Sequence, residues 1–193
     1  MVKQIITPPK NQTRQTHLSR LFFLSKGCKQ VPLEYARGIV RWGHPDGYFL
    51  NAQGQKIAND NLNPSSQERH PGGSVYPKDR TTNKLMHILM ALAFYGERPI
   101  DPTIGKPCVC HHLIPDKLDY RPANLLCWLT REQHNEADRR QRVLRKVIGD
   151  LHSWSYEKLR EYQDPRVMTR EVFDIFIEHN SKRKEADNAK DNL

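Results

Sequence analysis

A chain of 193 residues with 31 Lys and Arg against 22 Asp and Glu carries a formal charge of +9 at neutral pH, which predicts a polyanionic partner, nucleic acid first. MVKQIITPPK at the start has no apolar signal core, and the longest apolar stretch, Leu85 to Tyr95, is too short to span a bilayer, so a cytoplasmic, non-secreted protein is expected. Cys28, Cys108, Cys110 and Cys127 follow no disulfide-scaffold spacing and read as intracellular thiols, in a chain long enough for one good core with appendages.

The first twenty residues hold Lys3, Lys10, Arg14 and Arg20 and no acid, with Pro8, Pro9 and little periodic apolar patterning. Residues 1–33 are therefore expected to form a basic N-terminal arm, in which Leu18 to Leu24 is apolar enough for a short helix. From Tyr35 the pattern changes to short β-type runs. Gly38 to Trp42 and Gly47 to Leu50 read as two strands of a hairpin, and Asn51 to Gly54 as a turn. Asn59 to Gly73, rich in Asn, Pro, Ser and Gly, reads as a long surface loop, after which Ser74 to Tyr76 offers an edge strand. Thr82 and Asn83 are placed to cap a helix running from Leu85 through Phe94 to a stop at Gly96; apolar almost all round, it must be buried. His87 inside it reads as a structural histidine with its nitrogens satisfied by backbone or loop groups.

Cys108 to Ile114 is a strand by its content, Pro115 to Pro122 is turn-rich, and Leu125 to Leu129 is a second short strand. Thr130 with Gln133 fits a capping box that starts a helix at Arg131. Ala137, Leu144, Ile148 and Leu151 fall on one helical stripe, and His134, Asp138, Gln141 and Arg145 on the stripe beside it, so His134 can look back at the strands. Beyond Gly149 come a short helix near Glu157 to Tyr162, a break at Pro165 and a longer helix from Thr169. The charged tail from Ser181 is expected to be disordered. The domain plan is a basic arm over 1–33, a main α+β domain over 34–150 and a helical extension over 151–193.

Adjacent histidines at 111 and 112, Asn124 twelve residues later and His134 ten residues after that lie on strand, loop, strand and helix. Taken with MHILMALAF upstream and the pieces HHLIPDKL and RPANLLCWLT, this resembles the HNH endonucleases, over about residues 84–140. The resemblance implies a ββα-metal (His-Me finger) core preceded by an N-terminal β-hairpin and a buried helix, with helices after it. It implies a metal-dependent phosphodiester hydrolase acting on DNA, expected to be double-stranded, with homing-type, phage-borne and restriction or defence enzymes all open. In the family manner His112 would be the general base, Asn124 would hold the loop and so orient His112, and His111 and His134 would hold one divalent cation. Magnesium is the first expectation, with manganese, nickel or zinc as alternatives because His111 stands where many relatives use Asp.

Neighbours on a strand point to opposite faces, so using both His111 and His112 requires a site at the strand's edge or end. His134 falls one residue later after Asn124 than in the commonest form of the motif, where Gln133 would be the ligand; a bulge near Leu126 or Cys127 would absorb the extra residue, and Asp138 is the substitute ligand otherwise. Asp116 and Asp119 are weaker ligand candidates. Lys117, Arg121, Arg131, Arg139, Arg142 and Arg145 surround or follow the motif and are candidates for phosphate contacts. Cys108-Val-Cys110 has the wrong spacing for structural zinc, so the cysteines are read as buried thiols; a zinc adaptor using Cys108, Cys110, Cys127 and a histidine is one rival reading, and a DNA-binding or assembly protein without turnover is another.

Overall fold

The computed structural model describes residues 20–57 and 76–190, with side chains to residue 183. It is a mixed α+β structure of small antiparallel sheets and helices. Residues 20–25 are helical, as expected from their apolar content, and Phe23 stacks on Trp42 at 4.6 Å between ring centres. Residues 1–19 of the expected basic arm lie outside the described residues, whereas its last part joins the fold: Cys28 and Val31 are buried, and β1 (Lys29–Gln30) pairs with β2 (Trp42–His44). The expected hairpin is formed by β2 and β3 (Tyr48–Leu50), with its first strand later than the Gly38 to Trp42 run; Gly38 instead takes φ 74° in the turn before it.

The proposed loop over Asn59 to Gly73 lies outside the described residues, as do Ser74 and Val75 of the suggested edge strand. Tyr76 is not in a strand; β4 (Lys78–Asp79) and β5 (Lys84–Leu85) form a small hairpin instead. Its turn uses Thr82 and Asn83, which corrects their expected role as a helix cap: Thr82 Oγ1 accepts from Lys84 N at 3.3 Å and Asn83 takes φ 56°. Helix α1 (Met86–Tyr95) then starts from Leu85 without a side-chain cap and stops at Gly96 with φ 80°. Asparagine tolerates positive φ, and the turn it makes leaves the helix to be held by burial. Met86, Leu89, Met90, Ala91 and Leu92 are buried, and α1 approaches β2 so closely that a Cβ on Gly43 would lie 2.8 Å from Met90 Sδ.

A further hairpin, β6 (Ile100–Asp101) and β7 (Lys106–Pro107), leads into β8 (Val109–His112), which pairs antiparallel with β9 (Leu125–Leu129). Side chains alternate along these strands, so Cys110, Leu125 and Cys127 enter one apolar cluster with α1. Val109, Leu126 and Leu129 face the other way, into a cluster with Ala137 and Leu144 of α2 (Arg131–Ile148). The β8–β9 hairpin is thus covered by a helix on each face. Strict alternation would send Leu129 to the α1 side. The register shift between Val109 and His111, with Trp128 at φ 60°, adds one residue to β9, keeps Trp128 with Cys127 on the α1 side and returns Leu129 to the α2 side.

The capping box at the start of α2 is present: Thr130 Oγ1 accepts from Gln133 N, and Gln133 Oε1 accepts from Thr130 N. Asp101 Oδ2 also accepts from Arg131 N at 2.7 Å, placing a carboxylate at the positive end of the helix. After a 3-10 turn at Leu151–Ser153 come α3 (Tyr156–Gln163), capped by Ser155, and α4 (Arg170–Lys190). Leu151, Leu159 and Phe173 join the α2 cluster, so residues 151–183 share its core. Helix α4 corrects the expectation of a disordered tail from Ser181, since residues 181–190 are helical. Lys, Arg, Glu and Ala are good helix formers, and pairs one turn apart, such as Glu178 with Lys182 at 2.7 Å, offset the charge.

Candidate metal centre

The face rule that separates His111 from His112 also explains how both serve one cavity. His111 points to the α2 side of β8 and His112 to the α1 side, at the end of the strand where the chain leaves for the loop. A cavity of about 390 Å³ wraps that end, lined by both histidines, by His134, Asp138, Gln141 and Arg142 of α2, and by Tyr76 and Lys117. His134, Asp138 and Gln141 are three members of the polar stripe seen in the sequence. The fourth, Arg145, is exposed and lines a separate cavity with Pro115 and Asp116.

On the α2 side, His111 Nδ1 is 3.0 Å from Asp138 Oδ1, and His134 Nδ1 is 3.5 Å from Asp138 Oδ2. One ligand atom from each of the three residues lies within 4.8 Å of the others, which places Asp138 beside both expected ligands and not in reserve for one of them. His134 Nδ1 is buried and has no hydrogen-bond partner among the described residues. Burial lowers the pKa of His134, against the opposing pull of Asp138, and the His111 ring beside it lowers that of Asp138. A neutral imidazole with a free nitrogen beside an ionised carboxylate is a fitting donor set for a divalent cation. Gln133 is occupied by the cap of α2, so His134 is the residue that faces His111, and the bulge expected near Leu126 or Cys127 is present at Cys127 and Trp128.

On the α1 side, His112 Nε2 is buried and without a hydrogen-bond partner among the described residues. Burial first, then His111, pushes its pKa down to about 4. Its ring sits 5.1 Å from that of His87 and 6.0 Å from Tyr76. His87 is not the satisfied structural histidine expected from its helix. Its Nδ1 also lacks a partner among the described residues, and burial followed by His112 pushes its pKa down to about 3. Apolar periodicity marked the helix as buried but carried no information on what its one polar side chain would meet.

Asn124 does not line the cavity. It is fully buried; its Oδ1 accepts from Ile114 N at 2.8 Å, and its Nδ2 donates to Asp119 O at 2.9 Å, so the amide spans the loop that follows His112. Asp116 accepts from Leu118 N, and Asp119 is taken up by Arg121 and the Tyr156 hydroxyl; neither joins the metal cluster. Of the basic candidates, Lys117 and Arg142 line the cavity, Lys117 lying over the Tyr76 ring at 4.4 Å. Arg131 is exposed at the start of α2. Arg121 is bound to Asp119, and Arg139 to Glu136 and Asp174, so these two guanidinium groups are engaged within the chain. The cysteines are all buried, and the group able to hold an ion among the described residues consists of histidines and an aspartate. Sequence spacing did not single out Tyr76 or Gln163, which belong to segments without a recognisable site pattern.

Comparison with family models, with curated proteins and with solved structures finds no match to this chain.

Proposed function

We propose that the protein is a metal-dependent DNA endonuclease of the HNH kind, hydrolysing a phosphodiester to leave a 5′ phosphate and a 3′ hydroxyl. The observation that carries the reading is the convergence of His111, His134 and Asp138 on one side of a strand end, with His112 on the other and Lys117 and Arg142 in the same cavity. Under this reading β8, β9 and α2 form the ββα-metal unit, and the bulge at Trp128 accounts for the late position of His134.

The work of the residues follows from their surroundings. His112 is neutral at physiological pH, and its Nε2 has no partner among the described residues, so it is available to accept a proton from an attacking water. Lys117 and Arg142 would draw the phosphodiester to the cavity and offset its charge. His111, His134 and Asp138 would hold the divalent cation, which when bound would neutralise charge on the scissile phosphate and on the leaving 3′ oxygen. Two nitrogens and a carboxylate suit manganese, nickel or zinc as well as magnesium.

The test is nicking of supercoiled plasmid in magnesium, manganese, nickel or zinc, with an EDTA control. The expected result is metal-dependent nicking that His112→Ala reduces by about 10²-fold or more, with DNA affinity held near wild type, because a general base acts in the transition state and not in backbone binding. A variant as fast as wild type removes His112 from that role. Silence in every metal, with DNA still retarded in a gel and across a randomised target library, would favour a binding protein without turnover.

A further inference from the structure

One buried amide reaches the proposed metal centre from the C-terminal helices. Gln163, the last residue of α3, is fully buried. Its Nε2 donates to the Leu113 carbonyl at 2.9 Å, which turns its Oε1 toward His111 Nε2, also at 2.9 Å. The flipped amide would set Oε1 against the Leu113 carbonyl, acceptor against acceptor, so the network favours one orientation. Gln141 does not compete for the role. Its Nε2 lies 3.3 Å from His111 Nε2 and 3.4 Å from Gln163 Oε1, but its nearer acceptors, His112 O at 2.5 Å and Leu113 O at 2.9 Å, take its two protons. Gln163 Oε1 is therefore the acceptor that His111 Nε2 meets among the described residues, and Nε2 carries a proton there.

A neutral imidazole that keeps its proton on Nε2, the form that can bind a metal, has its lone pair on Nδ1. In His111 that atom is 3.0 Å from a carboxylate oxygen of Asp138, and two acceptors at that distance repel unless a positive charge, a proton or a metal cation, joins them. A divalent cation shared with His134 supplies such a charge. We infer that Gln163 is a positioning residue for metal binding, which holds the Nε2–H form of His111 and so presents Nδ1, not Nε2, to the cation shared with His134 and Asp138. The inference rests on the metal-binding part of the function proposed above, and not on nuclease turnover. It makes α3 part of the metal centre, because an acceptor behind a ligating histidine fixes its ring and raises its basicity.

The test uses the full chain and two ions. Titration calorimetry with Mn²⁺ is expected to show binding that weakens about 10- to 100-fold in Gln163→Met, the usual cost of losing a partner behind a metal ligand. Gln163→Glu, which keeps an oxygen toward Nε2 but sets a second one against the Leu113 carbonyl, is expected to lose stability yet to bind Mn²⁺ more tightly than Gln163→Met, so the loss of affinity can be assigned to the acceptor and not to a failure to fold. Leu159→Ala, which loosens the same helix but leaves the amide in place, should cost stability and leave Mn²⁺ affinity within about threefold. Long-range ¹H–¹⁵N spectra of the Zn²⁺-loaded protein should show the His111 ring proton on Nε2. A ring proton on Nδ1, equal Mn²⁺ affinity in Gln163→Met, or equal losses in Gln163→Met and Leu159→Ala would overturn the role given to Gln163. No binding of either ion by the wild type would overturn it together with the metal site, whereas ion binding through Nδ1 without nicking would leave it standing and remove the nuclease.

Discussion

Asn124 illustrates how a single side chain can matter to a site that it does not touch. One face of its amide takes the Ile114 N–H and the other gives a proton to the Asp119 carbonyl, while its own backbone carbonyl accepts from Leu113 N at 2.9 Å. The loop after His112 is held between these bonds. In Asn124→Ala the Ile114 N–H loses its acceptor in a buried place, which costs about 1–3 kcal/mol. Denaturant unfolding should show that loss, and plasmid nicking should fall with it. A fall in nicking without a change in stability would give Asn124 a direct part in the chemistry and refute its role as a loop anchor.

At the scale of elements, α2 carries two burdens on one stripe and its neighbour: it presents His134 and Asp138 to the hairpin and it receives the C-terminal helices. Arg140, on the side facing those helices, is 1 % exposed and reaches the Met168 carbonyl at 2.9 Å. Glu136 answers it one turn earlier, with Oε1 at 2.9 Å from Arg140 Nε and at 2.8 Å from Arg139 Nη2. Hydrogen bonds from Arg139, reinforced by Arg140, hold the Glu136 carboxyl down at about 2. Glu136→Gln removes the negative charge facing a buried guanidinium, and leaving such a charge without its partner costs about 3 kcal/mol. Equilibrium unfolding should register that loss at pH 7. It should shrink as the pH falls from the ordinary carboxyl value toward 2, because the wild-type carboxylate is itself then protonated. A variant as stable as wild type at pH 7 would mean that Arg140 is satisfied by the carbonyls alone.

Over the whole molecule, the buried histidines set a direction for stability against pH. His87 and His112 have affinities for protons pushed down to about 3 and about 4 from an ordinary 6.5, mainly by burial. Above pH 6.5 neither the folded nor the unfolded chain protonates them, and stability is undiminished. Below 6.5 the unfolded chain takes up protons that the folded chain refuses, so stability falls until the pH nears 3 to 4, by at most about 1.4 kcal/mol per pH unit for each group. Thermal unfolding in EDTA should therefore show a midpoint that drops between pH 7 and pH 5. His87→Met should flatten that drop. Parallel slopes for wild type and variant would show that His87 is protonated alike in both states.

Local chemistry sufficed for several features of this protein. Thr130 and Gln133 cap α2 because their side chains reach backbone donors within one turn, and the apolar run of α1 predicts burial whatever lies around it. The strand pair around His111 and the polar stripe holding His134 and Asp138 were legible for the same reason, since alternation and helical period depend on neighbours in the chain. Thr82 and Asn83 were misread because a turn and a helix cap use the same short polar side chains, and hairpin pairing of β4 with β5 decided between them. Tertiary structure alone brought His87 and Tyr76 against His112, drew Arg139 to Asp174, and set Gln163 behind His111 across 52 residues of chain. These contacts join segments far apart in the chain, and no periodicity within a segment encodes what the opposite segment will present.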